Sequence, residues 1–102
     1  MWVFLNDAFL SIVQDMDDPD RLLVRARHEQ DVENVFGAVE VAETEDADYR
    51  FRTFLPRATV AEAMKKQTEA IDYTNFKNSV PDHKRHDAYM GVWQVMRRFQ
   101  KS

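Results

Sequence analysis

LLVRARHEQDVENVFGAVEVAETEDADYRFRTFLPRATVAEAMKKQTEAI, residues Leu22–Ile71, switches repeatedly between the two-residue repeat of a strand and the longer repeat of a helix. Leu22–Arg27 alternates, with Leu22, Val24 and Ala26 on one face and Leu23, Arg25 and Arg27 on the other. Glu29–Phe36 puts Val32, Val35 and Phe36 on one helical face, carries acids in its first turn and is followed by Gly37, a C-terminal capping residue. Val39–Val41 and Tyr49–Leu55 read as strands joined by the acidic, turn-forming segment Glu43–Asp48. Pro56 ends the second of these. Thr59 and Glu62 then form a T-x-x-E capping box before a helix whose stripe is Val60, Met64, Gln67 and Ile71. The order β-α-β-β-α is that of a ferredoxin-like plait lacking its last strand, with Leu22–Arg27 and Tyr49–Leu55 as adjacent central strands.

Working outward, Trp2–Leu5 and Ala8–Gln14 are apolar, β-prone runs separated by the turn signal Asn6-Asp7. A hairpin is the simplest reading and one bent strand the alternative; one of these strands can fill the missing place beside Leu22–Arg27. Asp15–Asp20 has four aspartates but neither the glycine nor the closing glutamate of an EF-hand, so it reads as a solvated loop. On the C-terminal side, Asp72–Val80 is an aromatic-containing connector and Pro81 suits the first turn of a last helix. In that helix Tyr89, Val92, Trp93, Met96 and Phe99 share one face, which is expected to be buried. Met90 and Val95 lie on other sides, so the helix is also a candidate homodimer or partner contact. The expected fold is one α+β domain over residues 1–102, ordered β-β-β-α-β-β-α-α, an antiparallel sheet with helices on one face and a ferredoxin-like plait variant.

Composition narrows the function classes. Hydrophobic residues are 44 % and charged residues 31 % of the chain, which is ordinary for a globular protein. The absence of cysteine removes disulfides, thiolate metal sites and cysteine catalysis. The apolar start MWVFLNDAFLSIVQD is interrupted by Asn6 and Asp7 and lacks a basic flank, so neither a secretory signal nor a membrane span is expected. The expected location is the cytoplasm. The net charge of −4 hides an asymmetry, with 13 acids and 4 bases in residues 1–50 against 5 acids and 10 bases in residues 51–102. This distribution suits either internal pairing or a two-faced surface that meets a charged partner.

Two sets of residues bear on chemistry. In the predicted sheet, Arg25, Arg27, Arg50 and Arg52 share the face away from the helices with Leu23 and Phe54. Guanidiniums beside an aromatic ring on an open sheet can hold an acidic protein surface, or single-stranded nucleic acid by phosphate pairing and base stacking. Pairing to acids of the flanking strands, such as Glu40, is the purely structural alternative. His83 and His86, three residues apart on one helix, are a weak metal pair, since no third ligand is identifiable and Lys84 and Arg85 oppose a cation. Catalysis has little support. Gly37 and Gly91 are the two glycines, so no phosphate-cradling loop or nucleophile elbow exists, and no cofactor is expected.

The segments MWVFLNDAFLSIV, DYRFR, IDYTNFKNSV and RHDAYMGVWQVM resemble those of a family of similarly small proteins from bacteria and their mobile elements. That resemblance implies a bacterial, cytoplasmic, single-domain protein and carries no activity, cofactor or site residue. By analogy of size and charge with small acidic phage proteins that inhibit host machinery, the expected role is inhibition or regulation of that type. The leading expectation is therefore a non-catalytic binding module that contacts a protein partner. Single-stranded nucleic-acid binding through the arginine face is the alternative, and a metal-dependent enzyme using His83 and His86 is the third class.

Overall fold

The computed structural model describes residues 1–102 and divides into two compact units, Met1–Ile71 and Asp72–Ser102. The first is an α+β unit. Its strands are β1 (Trp2–Leu5), β2 (Ala8–Gln14), β3 (Arg21–Ala26), β4 (Ala42–Glu43) and β5 (Phe51–Pro56), and its helices are α1 (Glu29–Phe36) and α2 (Arg57–Glu69). The strands form one antiparallel sheet in the order β1-β2-β3-β5-β4. The expected hairpin forms with Leu5 opposite Ala8 across Asn6-Asp7. No non-glycine residue has positive φ, which excludes the primed turns usual in such hairpins. β2 lies beside β3, and β3 pairs along its whole length with β5, so the two expected central strands are neighbours. The strand order on its own does not establish a ferredoxin-like plait.

Alternation sends Leu10 and Ile12 of β2, Val24 and Ala26 of β3 and Leu55 of β5 to one side, where Val32 of α1 and Val60 of α2 join them in a single buried cluster. Full burial contributes about 1.5–3 kcal/mol for each larger apolar side chain. Polar groups pin α1 to the hairpin as well. The buried Asp31 carboxylate accepts the Phe9 N–H at 3.0 Å, and the Asn34 side-chain amide donates to the Asp7 carbonyl at 2.9 Å. Gly37 ends α1 with φ 73°, its N–H bonded to the Glu33 carbonyl, as its position after the helix requires.

Several local expectations need correction. Val39–Val41 is not a strand; the short edge strand is Ala42–Glu43. The β5 ladder starts at Phe51, while Tyr49 sits in the preceding bend with its side chain buried. The Thr59–Glu62 capping box does not form. α2 begins at Arg57 directly after Pro56 and has no side-chain cap, so Thr59 lies inside the first turn. The Arg57 main-chain N–H donates instead to the Asp20 carbonyl at 2.7 Å, and its guanidinium binds the Pro19 carbonyl and Gln14 Oε1. A loop contact has taken over the role expected of the cap.

The second unit holds α3 (Phe76–Ser79), a single turn inside the expected connector, and α4 (His83–Gln100). Asn75 and Asp82 cap them, accepting the Asn78 and Arg85 N–H groups at 3.1 and 2.8 Å. Pro81 therefore lies one residue before the cap of α4, outside the helix. Phe76 stacks on Tyr89 with ring centroids 5.8 Å apart, and Lys77 and Arg97 both lie against the Trp93 ring. The α4 stripe departs from expectation. Tyr89 is buried, whereas Val92, Trp93, Met96 and Phe99 are exposed, together with Val95.

Candidate binding surface

The face of the sheet opposite α1 and α2 is built by the same alternation. The register places Trp2, Ser11, Arg25 and Arg52 in one row across the strands, and Val13, Leu23 and Phe54 in the next. The expected Arg25, Arg52, Leu23 and Phe54 thus do share this face. Phe54 is 49 % exposed and Trp2 68 % exposed, with Val13 also open. Arg27 and Arg50 lie just beyond the ends of the β3–β5 ladder, since β3 stops at Ala26 and β5 starts at Phe51.

The arginines divide into two groups by what they touch. Arg50 is taken up by acids of the flanking segment, Glu43 at 2.6 Å and Glu45 at 3.5 Å. Arg25, Arg27 and Arg52 instead gather around Asp48-Tyr49. The Arg25 and Arg27 guanidinium carbons stand 4.8 and 4.5 Å from the centre of the Tyr49 ring. Arg27 Nη1 donates to the Asp48 carbonyl at 2.7 Å, and Arg52 Nε donates to the Tyr49 carbonyl at 3.3 Å. Asp48 is the nearby carboxylate, 3.7 Å from Arg52 and itself accepting the Tyr49 N–H. Arg25 donates through Nη2 to Ser11 Oγ at 2.8 Å, while its Nε is buried with no hydrogen-bond partner. Arg25 and Arg52 face each other directly across the strands, a like-charge pairing that costs stability unless ring faces and carbonyls offset it. Both are present here.

Two participants were not anticipated. Tyr49 supplies the ring that organises Arg25 and Arg27, a role invisible while it was read as one residue of a strand. Arg21 lies with its guanidinium carbon 4.3 Å above the Phe54 ring, and its Nε donates to the buried Asp15 carboxylate at 2.6 Å. Alternation extended one residue back from Leu22 reveals Arg21, because positions 21, 23 and 25 share a face. Asp15 also accepts the Asp17 N–H at 3.1 Å. That amide, with help from Arg21 and against the opposing effect of burial, holds the Asp15 carboxyl below the usual carboxylate range.

Beside Arg52 and Phe54 the sheet edge opens into a groove of about 560 Å³, lined by Val39, Glu40, Val41, Ala42, Arg52, Thr53, Phe54 and Leu55. It exists because β4 pairs with Phe51 and Arg52 alone. The connector before it runs alongside β5 without joining the ladder, held by the Thr53 hydroxyl donating to the Glu40 carbonyl at 2.8 Å. Glu40, the acid named in the structural alternative, makes that main-chain contact and no ion pair.

In the second unit, His83 Nε2 and His86 Nδ1 both lie against the Asp87 carboxylate, at 3.4 and 3.6 Å. No group of three or more His, Cys, Asp or Glu residues is arranged to hold a metal ion. No helix is long and apolar enough to cross a membrane. No protein-family model matches the chain, and no curated protein or solved structure shows significant similarity to it.

Proposed function

We propose that the protein is a non-catalytic, cytoplasmic binding module that contacts a protein partner through the open sheet face, with Arg25, Arg27, Arg52 and Phe54 as its anchors. Exposed aromatic and arginine side chains on a rigid strand scaffold have the composition of interface centres. The carrying observation is that Phe54 is half exposed on the same face as the Arg25–Arg52 pair. Inhibition or regulation of the phage or mobile-element type is the role we assign to such a module. We read β3 through α2 as a ferredoxin-like plait variant in which β2 takes the place of a strand after α2. What supports this is that β3 and β5 are antiparallel neighbours with α1 and α2 on one face of the sheet.

Single-stranded nucleic acid is the weaker reading. Arg50 and Arg21 already pair with carboxylates, and Arg21 covers one side of the Phe54 ring that a base would need. The test is affinity capture at low salt with and without nuclease, comparing wild type with a folded Arg25→Gln/Arg52→Gln variant and with Phe54→Ala. A protein recovered by wild type after nuclease treatment, and lost in both variants, is the expected result. Recovery of nucleic acid alone, with a steep salt dependence, would transfer the assignment to the alternative. A homodimer through α4 is a second reading, favoured by its exposed Val92, Trp93, Val95, Met96 and Phe99. Sedimentation equilibrium of wild type against Trp93→Ser/Met96→Ser decides it.

A further inference from the structure

We infer that the partner segment is an extended acidic–hydrophobic peptide, its carboxylates meeting Arg25, Arg27 and Arg52 and a neighbouring apolar side chain entering the groove beside Phe54. This rests on the binding-module reading and names the chemistry of its partner. Charge complementarity is the first argument. Three guanidiniums converge on Asp48-Tyr49, where the carboxylate near them is that of Asp48, and this stands in a half of the chain rich in acids. Neither Arg25 nor Arg27 forms an ion pair within the chain, their guanidiniums being held by Ser11 Oγ, the Asp48 carbonyl and the Tyr49 ring, so their charge is left for a partner's carboxylates to meet. Nearby acids are committed elsewhere, Glu43 and Glu45 to Arg50 and Asp15 to Arg21.

The groove supplies the second argument. Its wall is apolar at Val39, Val41, Phe54 and Leu55 and lies between the connector and the part of the β5 edge that β4 does not pair. The Thr44 N–H donates to the Arg50 carbonyl at 2.7 Å, so the main-chain groups of Arg50 face the outer side of β5. Alternation along an antiparallel strand turns those of Arg52 and Phe54 the same way. β4 pairs with Arg52, which leaves the Phe54 N–H and carbonyl facing the groove. An extended peptide matches such an edge through its backbone and reads side-chain pockets at alternate positions. A nucleic acid offers neither the backbone amides nor the apolar side chain.

The experiment is selection from a library of random short linear peptides, with single-stranded oligo(dT) measured in parallel. Selected peptides are expected to carry Asp or Glu next to a large apolar residue. Their affinity should fall by about tenfold or more in Arg25→Gln/Arg52→Gln, as expected when one partner of a charge pair is lost, and fall with added salt. Lys65→Gln/Lys66→Gln, on the exposed side of α2, should leave it unchanged. Because Arg25 is partly buried, Arg52→Gln alone is measured too, with thermal melting to confirm folding. Selection of peptides without acidic residues that still depend on Phe54 overturns this inference while leaving the binding-module reading standing. Failure to select any peptide overturns it as well. Oligo(dT) binding that the arginine substitutions abolish, with no peptide selected, overturns both.

Discussion

The two faces of the sheet are made from the same strands and obey opposite rules. On the side of α1 and α2, Leu10, Ile12, Val24, Ala26 and Leu55 are closed off from water with Val32 and Val60, and the carboxylate buried on that side, Asp31, is bonded to the Phe9 amide. On the other side, Arg25 stands directly opposite Arg52, one guanidinium nitrogen lacks a partner, and Phe54 and Trp2 are open to solvent. The first face spends its residues on burial and satisfied hydrogen bonds. The second retains like charges in proximity and exposed rings, features that cost folding stability and favour recognition.

Core truncation should break this contrast most strongly. Leu10→Ala is expected to cost about 2–5 kcal/mol in urea unfolding, through lost burial and a residual cavity. Phe54→Ala should cost no more than about 1 kcal/mol, the worth of its contact with Arg21. Equal losses at the two positions would mean that the second face is also core. Next in size, Asp31→Ala should cost roughly 1–3 kcal/mol by stranding the Phe9 N–H. Asp82→Ala in the second unit should cost about 1 kcal/mol of helix stability through the lost cap on the Arg85 N–H, read as faster hydrogen exchange in the first turn of α4.

The smallest expected effect is a pH dependence. The Asp15 carboxyl is held below its ordinary value, so its contribution is fully present above the unfolded-state pKa and disappears as pH falls through the lower, folded-state one. Asp15→Asn should flatten the acid limb of the stability curve in that window and leave the alkaline side unchanged. If acid titration of the two proteins is parallel, the Asp15 contacts with the Asp17 N–H and Arg21 do not hold in solution. A Phe54 ring freed from Arg21 in Asp15→Asn would also tighten any aromatic contact made by the open face.

Some of this architecture was legible because it depends on local periodicity. The hairpin about Asn6-Asp7 and the α1 helix with Gly37 follow from alternation, turn chemistry and the positive φ that glycine tolerates, whereas the pairing of β3 with β5 is expected from the plait-like order of elements. Given that pairing, alternation puts Arg25, Arg52 and Phe54 on one face, as the register shows. Elements decided by competition between distant groups were misread. Thr59 has no capping role because α2 starts two residues earlier, at Arg57, whose N–H is taken by the Asp20 carbonyl. Tyr49 left the strand and became the ring around which two arginines collect. The α4 stripe has helical spacing, yet periodicity states only that residues share a face and not that anything covers it, and four of the five stay exposed.

By itself, then, the sequence determined which segments become strands and helices and which side chains share a face, because those depend on backbone sterics and on a repeat read within a few residues. The tertiary structure alone decided which charges are neutralised, which amides find a cap and where the sheet edge stays open. Each of those outcomes depends on groups far apart in the chain arriving within a hydrogen bond of one another. Arg21 met Asp15 and Phe54, Arg57 met Asp20 and Gln14, and Arg25 met Ser11 and Tyr49 without a carboxylate.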